Sequence, residues 1–77
     1  MKVEHPDIYS GKKLNVTWLD GDQLTGKFYG YNFDYDDDGI IFSEMDIVIE
    51  DGGLVSFTDR EIESIEVLDD ASEDTAD

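Results

Sequence analysis

The sequence predicts an all-β domain: a small, five-stranded, strongly bent barrel with a short N-terminal helical turn. Three observations carry that expectation. Apolar and polar residues alternate at period two over several short runs. Gly-bearing, Asp-rich turns separate those runs, at Asp20-Gly21-Asp22, Asp36-Asp37-Asp38-Gly39 and Asp51-Gly52-Gly53. No segment carries the pattern of a long helix or of a βαβ unit.

Taken in order, Pro6 suits the start of a single helical turn over Asp7 to Ser10, with Ile8 and Tyr9 as its packing residues. Gly11 releases the chain into a first strand, where Leu14, Val16 and Trp18 alternate with Asn15 and Thr17. The second strand runs from Gln23 to about Phe33. Leu24, Gly26, Phe28 and Gly30 share one of its faces, and Thr25, Lys27, Tyr29 and Tyr31 the other. Two glycines on one face mark a strand that must coil sharply. Ile40, Ile41 and Phe42 resume the sheet, and Met45, Ile47 and Ile49 continue it. Ser43-Glu44 interrupts that alternation and predicts a bulge or break there. Leu54 to Phe57 forms a fourth strand. Thr58-Asp59-Arg60-Glu61 has capping-box spacing and predicts one helical turn before Ile62. Ile65 and Val67 then lie on a fifth strand, with Glu66 outside.

Composition narrows the class. The 77 residues include 21 acids, 5 bases and no cysteine, for a formal net charge of −16. That length allows one domain, expected over residues 1–68. Without cysteine there is no disulfide, thiolate metal site or cysteine nucleophile, and a reducing compartment is the default. No run approaches the ~18 apolar residues of a membrane span, so a soluble, cytoplasmic protein is expected. Hydrophobic residues at 39% and aromatics at 12% supply a core that a disordered chain would lack. Residues 69–77, DDASEDTAD, hold no large apolar group and are expected to form an acidic disordered tail.

Gly11 to Val16, Asp20-Gly21 and Leu24 to Tyr31 together resemble the first motif of Sm/LSm-like proteins, a group of SH3-like barrels. Residues 57–65, FTDREIESI, have the spacing of the second motif, and the likeness covers roughly residues 8–68. The resemblance implies the Sm-like barrel fold. It also places the family's RNA-contacting Asp and Asn at Asn32 and Asp36, its base-stacking position at Asp34, and its Arg-Gly pair at Thr58-Asp59. Aspartate offers no ring to a base and repels phosphate, so RNA binding in the family's usual mode is not expected. A ring closed through the last two strands, as the family forms, would gather −16 per subunit, so a monomer or small oligomer is expected.

Chemistry has few candidates. His5 is the only histidine and has no patterned partner; among so many carboxylates no acid/base pair stands out, and neither an enzyme activity nor a cofactor is expected. Asp34-Tyr35-Asp36-Asp37-Asp38-Gly39 matches the start of a calcium loop, which would make Asp34, Asp36 and Asp38 metal ligands. The closing Glu would fall at Met45, with Glu44 one residue early, and the flanks read as strands rather than helices. Tyr29, Tyr31 and Tyr35, with Phe33 among them, offer large amphipathic rings of the kind enriched at interfaces. The expected function is a non-catalytic interaction module that meets a basic protein through an acidic, Tyr-bearing surface. The alternatives are a nucleic-acid-related role, by RNA binding or as an acidic DNA mimic, and weak calcium binding by the Asp34–Asp38 loop.

Overall fold

Three Gly-bearing turns set the architecture of the computed structural model, which describes residues 1–68; the expected acidic tail, residues 69–77, lies outside the described residues. The turns share one hydrogen-bond pattern. Gly21 N–H donates to the Trp18 carbonyl while Trp18 N–H donates to the Asp22 carbonyl, and the segments 36–40 and 49–53 repeat this with Gly39 and Gly52. These glycines sit at φ 97°, 81° and 94°, the left-handed conformation that closes a three-residue hairpin loop and that Gly enters without strain. In each turn an Asp carboxylate (Asp20, Asp36, Asp51) accepts from the N–H two residues on.

The turns separate the first four strands: β1 (Lys13–Trp18), β2 (Gln23–Tyr35), β3 (Ile41–Val48) and β4 (Leu54–Thr58); β5 (Ile62–Val67) completes one antiparallel sheet, in the order β4-β3-β2-β1-β5. The two edge strands, β4 and β5, are consecutive in the chain and only residues 59–61 lie between them. A flat five-stranded sheet would hold its edges about 19 Å apart, whereas a tight turn spans less than about 7 Å. The sheet therefore curls until its edges meet at this turn. The turn is tied to both sides: Asp59 N–H donates to the Ser43 carbonyl of β3, and Leu19 N–H, just past β1, donates to the Glu61 carbonyl.

The curled sheet encloses Leu14, Val16, Phe28, Met45, Ile47, Phe57 and Ile62, with Val3 from the N-terminal segment. Trp18 packs edge-on against Phe57, ring centroids 5.1 Å apart. Val3 is held by a buried clasp: its N–H donates to Asp59 Oδ2 at 2.9 Å, and its carbonyl accepts the Ser43 hydroxyl. Both polar side chains are buried and both are satisfied, as burial requires.

Several local expectations change. No bulge lies at Ser43-Glu44. One lies in β2, where Phe28 pairs with Ile47 and Gly30 with Asp46 and Tyr29 has no partner. Another lies in β5, where Thr17 pairs with Ser64 and Trp18 with Ile62 and Glu63 has none. β3 runs unbroken because Ser43 needs no exit from the core once its hydroxyl reaches the Val3 carbonyl. β2 extends to Tyr35, two residues beyond the expected end. Thr58–Glu61 makes a hydrogen-bonded turn instead of a helical one. Glu61 Oε1 does accept the Thr58 N–H at 2.8 Å, but buried Ile62 draws the chain straight into β5. The N-terminal turn is a 3-10 helix over Pro6–Tyr9. Pro6 is buried and Tyr9 packs on Phe28, while Ile8 is exposed; residues three apart eclipse in a 3-10 helix, so one turn buries one side only.

The two glycines of β2 do different jobs. A Cβ on Gly26 would stand 2.8 Å from the Val48 backbone oxygen, whereas one on Gly30 would meet nothing within 4 Å. Gly26→Ala is expected to cost about 1–3 kcal/mol of stability by overpacking against backbone. Gly30→Ala should change it by no more than about 0.5 kcal/mol, and denaturant titration of both variants checks the contrast.

Candidate protein-binding surface

Beyond the body of the sheet, β2 and β3 continue as a two-stranded hairpin. β1 pairs with β2 only over Gln23–Lys27, and β4 pairs with β3 only from Glu44 onward. From Asn32 to Phe42 the hairpin therefore has no strand on either side.

The bulge at Tyr29 decides which side chains share a face there. An extra residue inverts the alternation that follows it. Tyr31 pairs across the ladder with Met45 and Phe33 with Ser43, both of which are buried, and Tyr35 pairs with Ile41. Tyr31, Phe33, Tyr35 and Ile41 thus lie on the prolongation of the core face. Tyr31 does not share a face with Tyr29, as strict alternation implied. Ring contacts trace the row outward from the core: Tyr9 to Phe28 at 6.0 Å, Phe28 to Tyr31 at 6.3 Å and Tyr31 to Phe33 at 5.9 Å. Its outer members are open to solvent, Phe33 at 50%, Ile41 at 59% and Tyr35 at 69%, with Ile40 of the turn at 52%. An exposed apolar row of this kind is a candidate interaction surface.

Acids surround it. Residues 29–46 contain Asp34, Asp36, Asp37, Asp38, Glu44 and Asp46 and no lysine or arginine. Two basic side chains from elsewhere in the chain stand beside the row: Lys2, which lines depressions with Phe33, Ile41 and Phe42, and, from the β4–β5 turn, Arg60. Its guanidinium lies 4.7 Å above the Phe42 ring and 2.8 Å from Asp36 Oδ2, so it braces the hairpin tip against the body. Sequence reading missed this bridge, because 24 positions separate the partners and no local pattern joins them.

The Asp-rich loop serves the turn. Asp36 Oδ1 accepts from the N–H groups of Asp38 and Ile40, its Oδ2 pairs with Arg60, and Asp34 Oδ1 accepts from the neighbouring Tyr35 N–H. Asp34, Asp36 and Asp38 do not converge: among the described residues no group of three or more His, Cys, Asp or Glu is placed to hold a metal ion. The hydrogen bond from Ile40, then that from Arg60, holds the Asp36 carboxyl below its ordinary pKa of 3.8, against a smaller opposing effect of desolvation.

The positions that the Sm-like resemblance marks for RNA are occupied by structural contacts. Asn32 Nδ2 donates to Glu44 Oε1, Asp34 and Asp36 hold the hairpin tip, and Asp59 is buried under Val3. His5 is exposed at the start of the 3-10 turn, where its carbonyl accepts the Ile8 N–H. Among the described residues, open surface depressions of about 210–360 Å³ include one of about 360 Å³ between Lys13, Lys27 and Glu50. Among the described residues no helix is long and apolar enough to cross a membrane.

This chain matches no protein-family model, no curated protein and no solved structure. Fold and surface together define a small all-β protein that carries an exposed aromatic row inside an acidic hairpin.

A depressed carboxyl pKa adds stability that is complete above the unfolded value and lost as pH falls through the folded one. Asp36→Asn is therefore expected to lower stability at neutral pH, with the deficit shrinking as the wild type is titrated downward below pH 3.8. In Arg60→Gln the Asp36 pKa should rise part of the way yet stay below 3.8, because the Ile40 N–H remains. Carboxyl-carbon NMR titration of both variants measures this.

Proposed function

We propose that this protein is a non-catalytic interaction module that binds a basic protein through the acidic, aromatic hairpin. One observation carries the reading: Tyr31, Phe33, Tyr35 and Ile41 are displayed together on the uncovered extension of the core face, in a segment with six acids and no base of its own. Aromatic anchors in the middle of a contact supply most of its affinity. A surrounding field of one sign speeds encounter with the opposite sign and rejects the same sign. Tyr35 belongs to the contact through its place in the row, whereas the ring of Tyr29, 71% exposed at the bulge, lies off the row. The barrel of Sm-like kind is, in this reading, a scaffold that has kept the bent second strand and presents a surface that repels polyanions. A soluble, cytoplasmic setting and a monomeric or small oligomeric state accord with it.

Immobilised protein exposed to cell extract is expected to retain a partner of net positive charge at ~50 mM salt and to release it near ~0.5 M. The variant Phe33→Ser/Tyr35→Ser/Ile41→Ser should keep its fold, since all three residues are at least half exposed, and lose the partner. Retention of neutral or acidic proteins only, or equal retention by the variant, overturns the proposal.

A further inference from the structure

The rim of β2 beyond β1 carries a consequence for how a partner docks. Asp36 N–H donates to the Ile40 carbonyl, so Asp36 and Ile40 form a hydrogen-bonded pair of the β2–β3 ladder. Antiparallel pairs alternate, and a residue of a non-hydrogen-bonded pair turns its N–H and C=O away from the partner strand. Counting back along the register, Tyr35, Phe33 and Tyr31 are those residues. Their backbone groups point to the side where β1 has already ended. Asp34 Oδ1 takes the Tyr35 N–H. Among the described residues, no group accepts from the Tyr31 or Phe33 N–H on that side.

The segment Tyr29–Tyr35 is thus an open strand edge, about 20 Å long at the rise of a β-strand. Exposed edges are ordinarily blunted by charged side chains, above all lysine, by proline, by a bulge or by an inward-pointing charge. Here the bulge at Tyr29 stands at the β1 end and Asp34 caps only the Tyr35 N–H, which leaves Tyr31 and Phe33 open. This edge, YGYNFDY, has no lysine or proline, and its inward positions are Tyr31, Phe33 and Tyr35. The rings beneath it would line the side chains of an added strand.

We propose that Tyr29–Tyr35 is a strand-addition site for an extended, basic segment of another protein. The proposal rests on the reading of the hairpin as a basic-partner surface and names its mode of contact. Charge chooses the occupant. Lysines on an added strand would face Asp34 and the carboxylates of the hairpin tip, whereas a second copy of this chain would bring another −16 to the same place. Main-chain hydrogen bonds to Tyr31 and Phe33 would hold the segment, and alternate side chains would lie on the aromatic row.

The probe is a synthetic peptide of alternating lysine and valine, long enough to span Tyr29–Tyr35. Its counterpart, with every backbone nitrogen methylated, keeps every side chain and loses every backbone donor. The unmodified peptide is expected to bind at low salt, to slow amide hydrogen exchange at Tyr31 and Phe33, and to bind about tenfold or more tighter than its counterpart. Equal binding of both peptides, with no added protection at Tyr31 and Phe33, overturns strand addition and leaves the basic-partner reading standing. Binding of neither at low salt overturns both. A dimeric mass without peptide, with the same two amides already protected, assigns the edge to a second copy and also overturns the proposal.

Discussion

A sheet of five strands whose first and last members in space are neighbours in sequence has little freedom. β4 and β5 stand at opposite edges, and three residues join them. The sheet must curl to satisfy that link, and curling brings Leu14, Val16, Met45, Ile47 and Ile62 into one enclosed core. Asp59 sits in the link and is nearly fully buried. Its backbone N–H reaches β3 and its carboxylate reaches Val3, so closure and capping of the core share one residue. Gly26 lets the Val48 carbonyl approach where β2 crosses inside the curl.

The same curvature leaves β2 longer than its neighbours. Its N-terminal half is covered by β1, and its C-terminal half pairs with β3 alone. The unpaired Tyr29 shifts the phase of everything beyond it, which keeps Tyr31 and Phe33 on the core side although the core has ended. Aromatic side chains that would have filled a larger barrel are displayed to solvent. Arg60 then fixes the direction of the hairpin through Asp36 and Phe42.

In the proposed function, electrostatics would give that display its selectivity. A net charge of −16 on 77 residues opposes close approach of a second copy or of a polyanion. An exposed aromatic row would otherwise invite self-association. Acids at the hairpin tip thus divide in role: Asp36 builds the turn, and in the proposed function the remaining carboxylates would select the partner.

Much of the fold was legible from local pattern. The three Asp- and Gly-bearing turns, five strands and the buried faces of β1 and β3 follow from period-two alternation and from glycine's access to positive φ, both properties of neighbouring residues. Tertiary structure alone decided the rest. Whether the extra residue falls at Tyr29 or at Ser43 depends on pairing across the ladder. Ser43 could remain inside only because Val3, 40 positions away, receives its hydroxyl. Asp34, Asp36 and Asp38 look like cation ligands when read in a line, but in space one of them is taken by Arg60 and two backbone amides. Short-range sterics speak through adjacent residues; bulge position, buried polar partners and the open edge are set by contacts that only a closed sheet creates.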